Sequence, residues 1–69
     1  MKYLVVIEKA EGNYSAYLPD IPGCVATGKT KEEVRQNIVE ALVLHLEGLS
    51  EDGLPVPEPS SVADYVVAQ

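Results

Sequence analysis

Few residues in this chain suit covalent or metal chemistry. Its 69 residues include one cysteine, one histidine, no tryptophan and no phenylalanine. A lone cysteine, Cys24, rules out an internal disulfide and fits a reducing cytoplasm. No His or Asp neighbours it in sequence, so a small buried hydrophobe is the plain reading and a reactive thiol the sharper one. Basic residues are also scarce. Lys2, Lys9, Lys29, Lys31 and Arg35 are scattered, and against eleven acids they leave a net charge of -6. Phosphate backbones are gripped by clustered Lys and Arg, so direct DNA or RNA binding is not expected. No apolar run approaches the roughly 18 residues of a membrane span. The opening MKYLVVIEKAEG has an apolar run of only about five residues, shorter than a signal-peptide core, and no small-residue cleavage site follows. The expectation is a cytoplasmic chain with no membrane contact.

What is present reads as one small domain, residues 1–69. At this size about 60% of the unfolded surface is buried. Without disulfide or metal, such domains often gain stability by oligomerising. The acidity serves either solubility or attraction to a basic protein partner.

Residues 2–8, KYLVVIE, are β-branched and aromatic and predict a strand. Tyr3, Val5 and Ile7 face one way, and Leu4 and Val6 the other. With both faces apolar, this strand is expected to be central. Lys9 to Asn13 is a turn in which Gly12 and Asn13 are able to take positive φ. Tyr14 to Leu18 predicts a second strand, paired as a hairpin with the first. Pro19-Asp20-Ile21-Pro22-Gly23 ends it, because proline removes a ladder donor and Pro-Gly suits a tight turn. Cys24 to Gly28 predicts a third strand. Thr30-Lys31-Glu32-Glu33 is a capping box: the Thr30 hydroxyl accepts from the residue-33 amide, and Glu33 reaches back to residue 30. The helix is predicted over Lys31 to Ser50, with Gly53 as its stop signal. Leu54 to Ser61 carries three prolines on alternate residues. That pattern makes either a stiff return to the sheet or a proline-rich ligand. Val62 to Ala68 predicts the last strand.

Plotted at about 100° per residue, Val34, Ile38, Ala41, Leu42, His45, Leu46 and Leu49, together with Val39 and Val43, cover an arc of roughly 200°. Packing on one sheet needs only ~100° or somewhat more. The surplus, Val39 and Val43 with Leu46 at its edge, is either a self-association surface or ordinary exposed apolar surface. Opposite lie Gln36, Asn37, Glu51 and the heptad-spaced Glu33, Glu40 and Glu47, with Leu44 among them. This acidic stripe is either a solvated face or a docking strip for a basic partner. Glu51 and Asp52 oppose the helix macrodipole, at about 0.3–1 kcal/mol each when unscreened, which points to a use in binding.

No catalytic set stands out. His45 projects from the apolar arc, where packing is the plainer role than general base. A metal nuclease would need Glu8, Asp20 and Asp64 to converge, and no ligand spacing supports that. No metal, cofactor or catalytic residue is expected.

One pattern runs through nearly the whole chain. An aromatic-bearing strand precedes Leu18-Pro19-Asp20-Ile21-Pro22-Gly23-Cys24, then Gly28-x-Thr30 stands before Glu32-Glu33. The helix closes on Leu46-Glu47-Gly48-Leu49, and the exit is Asp52-Gly53-x-Pro55-x-Pro57-x-Pro59-Ser60. In order and spacing this resembles the N-terminal domain of HicB-family antitoxins. The resemblance implies a partial ribonuclease H-like α+β fold: β-β-β-α-β, a mixed four-stranded sheet of order 3-2-1-4, and one helix on one face. It implies no activity, since fold does not carry chemistry. It implies a partner: HicB-like proteins neutralise HicA-type toxins, small basic mRNA-cleaving ribonucleases, by binding and occluding them. The charge-complementary contacts would be Glu33, Glu40, Glu47, Glu51 and Asp52, with Tyr17, Asp20 and Ile21 adding a loop contact. Self-association into a homodimer or higher oligomer would use Val39, Val43 and Leu46. Family members commonly continue into a DNA-binding domain, whereas this chain stops after the fourth strand, so direct autorepression is not expected. The other reading is an orphan oligomeric scaffold or ligand-binding module with no toxin partner.

Overall fold

A computed structural model describes residues 1–69. Three strands, β1 (Val6–Ala10), β2 (Asn13–Tyr17) and β3 (Val25–Gly28), precede one helix, α1 (Lys31–Glu51). The sheet is antiparallel throughout, in the order β1-β2-β3. This is a small α+β domain, with α1 lying mainly over β3 and β2 and only lightly over β1.

Three expectations change here. The first strand is shifted from residues 2–8 to Val6–Ala10. Its ladder starts at Val6 because Val6 pairs with Tyr17, the last residue of β2. Beyond Tyr17 the chain turns, and the Leu18 amide donates to the Cys24 carbonyl instead. Residues 2–5 therefore have no strand to pair with. The same strand is an edge, and β2 is central. Apolar residues on both faces of residues 3–7 mimic a central strand. Finally, Val62–Ala68 carries no strand and is exposed throughout. The hairpin turn also differs in detail: β1 runs on to Ala10, Gly12 alone takes positive φ (84°), and Asn13 is already paired with Ala10.

The sheet register sorts the side chains. Ile7, Ala16 and Ala26 stand in one cross-strand row and face the helix. Ala16, Leu18, Ile21, Cys24, Val34 and Ile38 form the buried core, with Ile21 and Val34 fully enclosed. Each such side chain contributes about 1.5–3 kcal/mol on burial. The helix starts as its capping residue dictates, with the Glu33 amide donating to Thr30 Oγ1 at 3.0 Å. The Glu33 carboxylate accepts from the Lys29 amide at 3.2 Å, one residue before the expected partner. Asn37 Nδ2 donates to the Thr27 carbonyl at 2.8 Å and ties the helix to β3. The far end is a Schellman motif. The Leu54 amide donates to the Leu49 carbonyl and the Gly53 amide to Ser50, with Gly53 at φ 68°. Glycine takes that left-handed conformation without a Cβ penalty.

The helix of 21 residues is roughly 31 Å long at 1.5 Å per residue, whereas strands of this length reach only about 13–17 Å. Its C-terminal half overhangs the sheet. That is why the apolar arc is buried at Val34 and Ile38, half-buried at Ala41, Leu42, His45, Leu46 and Leu49, and half-exposed at Val39 and Val43.

Candidate functional site

Three surfaces have the makings of a binding site. The first is the outer face of α1. Glu33, Glu40, Glu47, Glu51 and Asp52 are all exposed, and no basic residue occupies the last turn. The helix C-terminus carries a partial negative charge of its own, so Glu47, Glu51 and Asp52 reinforce it. Glu33 is partly spent on the helix start through its bond to Lys29.

The second is the sheet face turned away from the helix. Val6, Tyr17 and Val25 are direct cross-strand neighbours. Adjacent residues point to opposite faces, and the row holding Ile7, Ala16 and Ala26 is the core row, so this row looks outward. Tyr17 is 41% and Val25 65% exposed. Val6 is half-buried, and Tyr17 and Val25 remain open to solvent. Of this row only Tyr17 was expected from the sequence as a contact residue, because the row exists only once the register is known.

The third is a shallow apolar groove between the N-terminal segment and the helix. Tyr3, Val5 and Leu18 line one side and Ile38, Val39 and Leu42 the other, with Met1 and Arg35 completing it. It lies where α1 leaves β1 largely uncovered. Of the residues expected to drive self-association, Val39 lines this groove, while Val43 and Leu46 sit farther along the helix.

The loop after β2 has a different task from the contact role expected of it. Ile21 is fully buried and holds the loop down: its amide donates to Leu18, and its carbonyl accepts from Cys24. As a core residue it presents nothing to a partner, which corrects the expectation. Asp20 accepts four hydrogen bonds, from the amides and hydroxyls of Ser60 and Ser61, at 2.8–3.0 Å. These donors, the Ser61 amide foremost, lower the Asp20 pKa from 3.8 to about 2. Together with the Tyr3 hydroxyl donating to the Pro57 carbonyl at 2.6 Å, this clamp fastens the proline-rich exit to the domain.

The clamp has a pH signature. A carboxyl group whose pKa is depressed on folding stabilises the fold fully above its ordinary pKa and loses that contribution as pH falls through the lowered one. Ser60 and Ser61 amide protection is expected to hold above pH 3.8 and to vanish as pH falls toward about 2. Amide exchange followed by NMR reads this directly. In Asp20→Asn the protection of both amides should be weak at every pH; an unchanged pH profile in that variant would remove the clamp from the account.

No three His, Cys, Asp or Glu side chains come together; Glu8, Asp20 and Asp64 do not converge. Asp64 is occupied locally, accepting from the Tyr65 amide at 2.7 Å. Cys24 is buried, and burial pushes its thiol pKa up, away from the reactive thiolate. No helix is long and apolar enough to cross a membrane.

Known proteins share this arrangement. The model of the family described as "HicB_like antitoxin of bacterial toxin-antitoxin system" matches residues 3–69. A protein of Haemophilus phage HP1, named only as an uncharacterised 14.9 kDa protein, is 36% identical over 66 residues, covering 96% of this chain and 50% of that one. Antitoxin HicB 1 of Photorhabdus laumondii is 38% identical over 68 residues, covering 96% of this chain and 44% of its own. The chain thus spans about half the length of these two relatives. Among solved structures, a chain of a HicA3 and HicB3 toxin-antitoxin complex superposes with a TM-score of 0.73 at 35% identity, over 86% of this chain and 70% of that one.

Proposed function

This chain belongs to the HicB-like antitoxin family of bacterial toxin-antitoxin systems, and on that premise we propose that it binds and neutralises a small basic HicA-type toxin in the cytoplasm. The family is not a class of enzymes, and inhibition by occlusion needs no chemistry from this chain. The observation that carries the reading is the likeness to a chain of the HicA3 and HicB3 complex. Charge supports it: a chain of net charge -6 with Glu33, Glu40, Glu47, Glu51 and Asp52 exposed along and beyond one helix complements a basic partner and speeds encounter with it. Tyr17 offers an aromatic anchor on the open sheet face, a residue type enriched at binding hot spots. Asp20 acts indirectly, since its carboxylate is already saturated.

We read residues 1–69 as one HicB-like domain that works as a homodimer or higher homo-oligomer. Val39, Val43 and Leu46 supply helix surface for that assembly. The sheet then gains a fourth strand beside β1, in the order 3-2-1-4, from the C-terminal segment.

The test is co-expression with a small basic HicA-type toxin encoded beside this chain. The two should purify together, and growth should be restored. With Glu40→Lys and Glu47→Lys combined, binding at low salt should weaken about tenfold or more, with a smaller difference at high salt. Absence of both complex and rescue would sink the toxin partnership. Full binding by the doubly reversed variant would move the contact to the sheet.

A further inference from the structure

We propose that the C-terminal segment 62–69 is a donor strand: it lies along the outer edge of β1 in a second copy of this chain, whose own segment returns the exchange. The inference rests on the completed sheet above but not on the toxin, so it can be tested on this chain alone.

The donor is conspicuous. Val62, Tyr65, Val66 and Val67 are 86–94% exposed, in a segment where every residue is exposed. Long apolar side chains bared together mark a contact surface. In an extended conformation Ala63, Tyr65 and Val67 share one face, and Val62, Asp64, Val66 and Ala68 the other.

The acceptor is on the same molecule. β1 pairs only with β2, so its outer backbone groups lack strand partners, an invitation to strand addition. At the start of that edge, beside the residues that lead into β1, lies the groove whose walls are Tyr3 and Val5 on one side and Val39 and Leu42 on the helix. A strand laid there would sink Tyr65 and Val67 into the groove. Its other face would set Val66 beside Val6, extending the outward row Val6–Tyr17–Val25. Residues 3–7, which lead into and open β1, are apolar on both faces, as are three of the four residues on the second face of the donor. The opposite sheet edge is less open, since Asn37 already occupies the Thr27 carbonyl.

A second copy is the occupant because the segment leaves its own domain. Its base is pinned by the four bonds to Asp20 and by Tyr3 on Pro57. Pro55, Pro57 and Pro59 stiffen the exit. From there the segment projects outward, and the molecule measures 46 × 27 × 16 Å. Donor and acceptor on one chain make the contact self-complementary, and two reciprocal contacts close a twofold dimer.

Sedimentation equilibrium of the full chain at micromolar concentration should give a dimer. Tyr65→Asp combined with Val67→Asp should weaken dimerisation at least about tenfold while leaving the helical signal of the far-ultraviolet circular dichroism unchanged, because both side chains are exposed in the isolated fold. In an equal mixture of isotope-labelled and unlabelled chain, isotope-filtered NOEs should join Tyr65 and Val67 of one copy to Val5 and Val39 of the other. A monomer whose NOEs run within one copy overturns the proposal in favour of closure on itself. A dimer that survives the double substitution but dissociates with Val43→Asp overturns it in favour of helix pairing. A segment that stays free until a HicA-type toxin is added overturns it in favour of the toxin as occupant.

Discussion

Ile21→Ala is expected to leave most of the chain unfolded at 25 °C. Ile21 has no exposed surface at all and plugs the loop that joins β2 to β3. Truncating a buried Ile to Ala costs about 2–5 kcal/mol, the larger values applying where the surroundings cannot collapse into the cavity. Collapse is hindered here. Two prolines flank the position, and the loop backbone is held by Leu18–Cys24, Ile21–Leu18 and Cys24–Ile21 hydrogen bonds. A domain below about 70–80 residues seldom draws more than 3–5 kcal/mol from its core, so the loss is comparable with the whole stability. Urea unfolding followed by circular dichroism checks this, since the chain has no tryptophan to report. Ile21→Val should retain most of the stability, with a loss of about 0.5–1.5 kcal/mol. A stable, cooperative Ile21→Ala variant would mean that the loop does not belong to the core.

Gly28→Ala should be nearly as damaging, although it adds only a methyl group. A Cβ at Gly28 would stand 2.6 Å from the Val34 amide nitrogen, 2.9 Å from its Cα and 3.1 Å from the Glu33 carbonyl carbon. These are backbone atoms of the first helical turns and cannot rotate away. The helix must lift from β3, opening the contacts of Val34, which is itself fully buried. Overpacking of this kind costs about 1–3 kcal/mol, or a fall in Tm of roughly 4–8 °C per kcal/mol in a domain of this size. The lift should also speed exchange of the Glu33 amide, which is bonded to Thr30. Gly48→Ala is the matched control. A Cβ there meets nothing within 4 Å, and Gly48 lies in the last turn of α1, so Ala should stabilise by up to the mid-helix figure of roughly 0.5–1 kcal/mol. The two substitutions should therefore move Tm in opposite directions.

Local chemistry made much of this fold legible. Thr30 as the cap, Gly53 as the stop and the Pro-rich break after β2 are decided by residues within a few positions of one another, and each element they delimit is present. What long-range pairing decides was less legible. Residues 3–7 are apolar on both faces, which is equally the pattern of a central strand and of an edge that awaits a partner. The shift of β1 to Val6–Ala10 depends on where β2 ends. Ile21 was expected as a loop contact beside Tyr17 and Asp20, and only three dimensions show that the loop folds inward. The outward row Val6–Tyr17–Val25 joins residues from three strands and has no local signature. The acidic stripe and the surplus helix arc did follow from periodicity, since they belong to a single helix.

In this sheet, neighbours in space are neighbours in sequence. β1 pairs with β2, β2 with β3, and the next element, α1, packs back on β3 and β2. No strand must wait for a distant partner before it can form. Sequence-local strand pairing of this kind favours faster folding than all-β topologies of the same size show. The pairing order of the body is therefore set before the segment beyond Gly53 adds its bonds to Asp20 and Tyr3. The body can fold as a unimolecular event, whereas the proposed assembly through segment 62–69 would follow at a rate set by concentration.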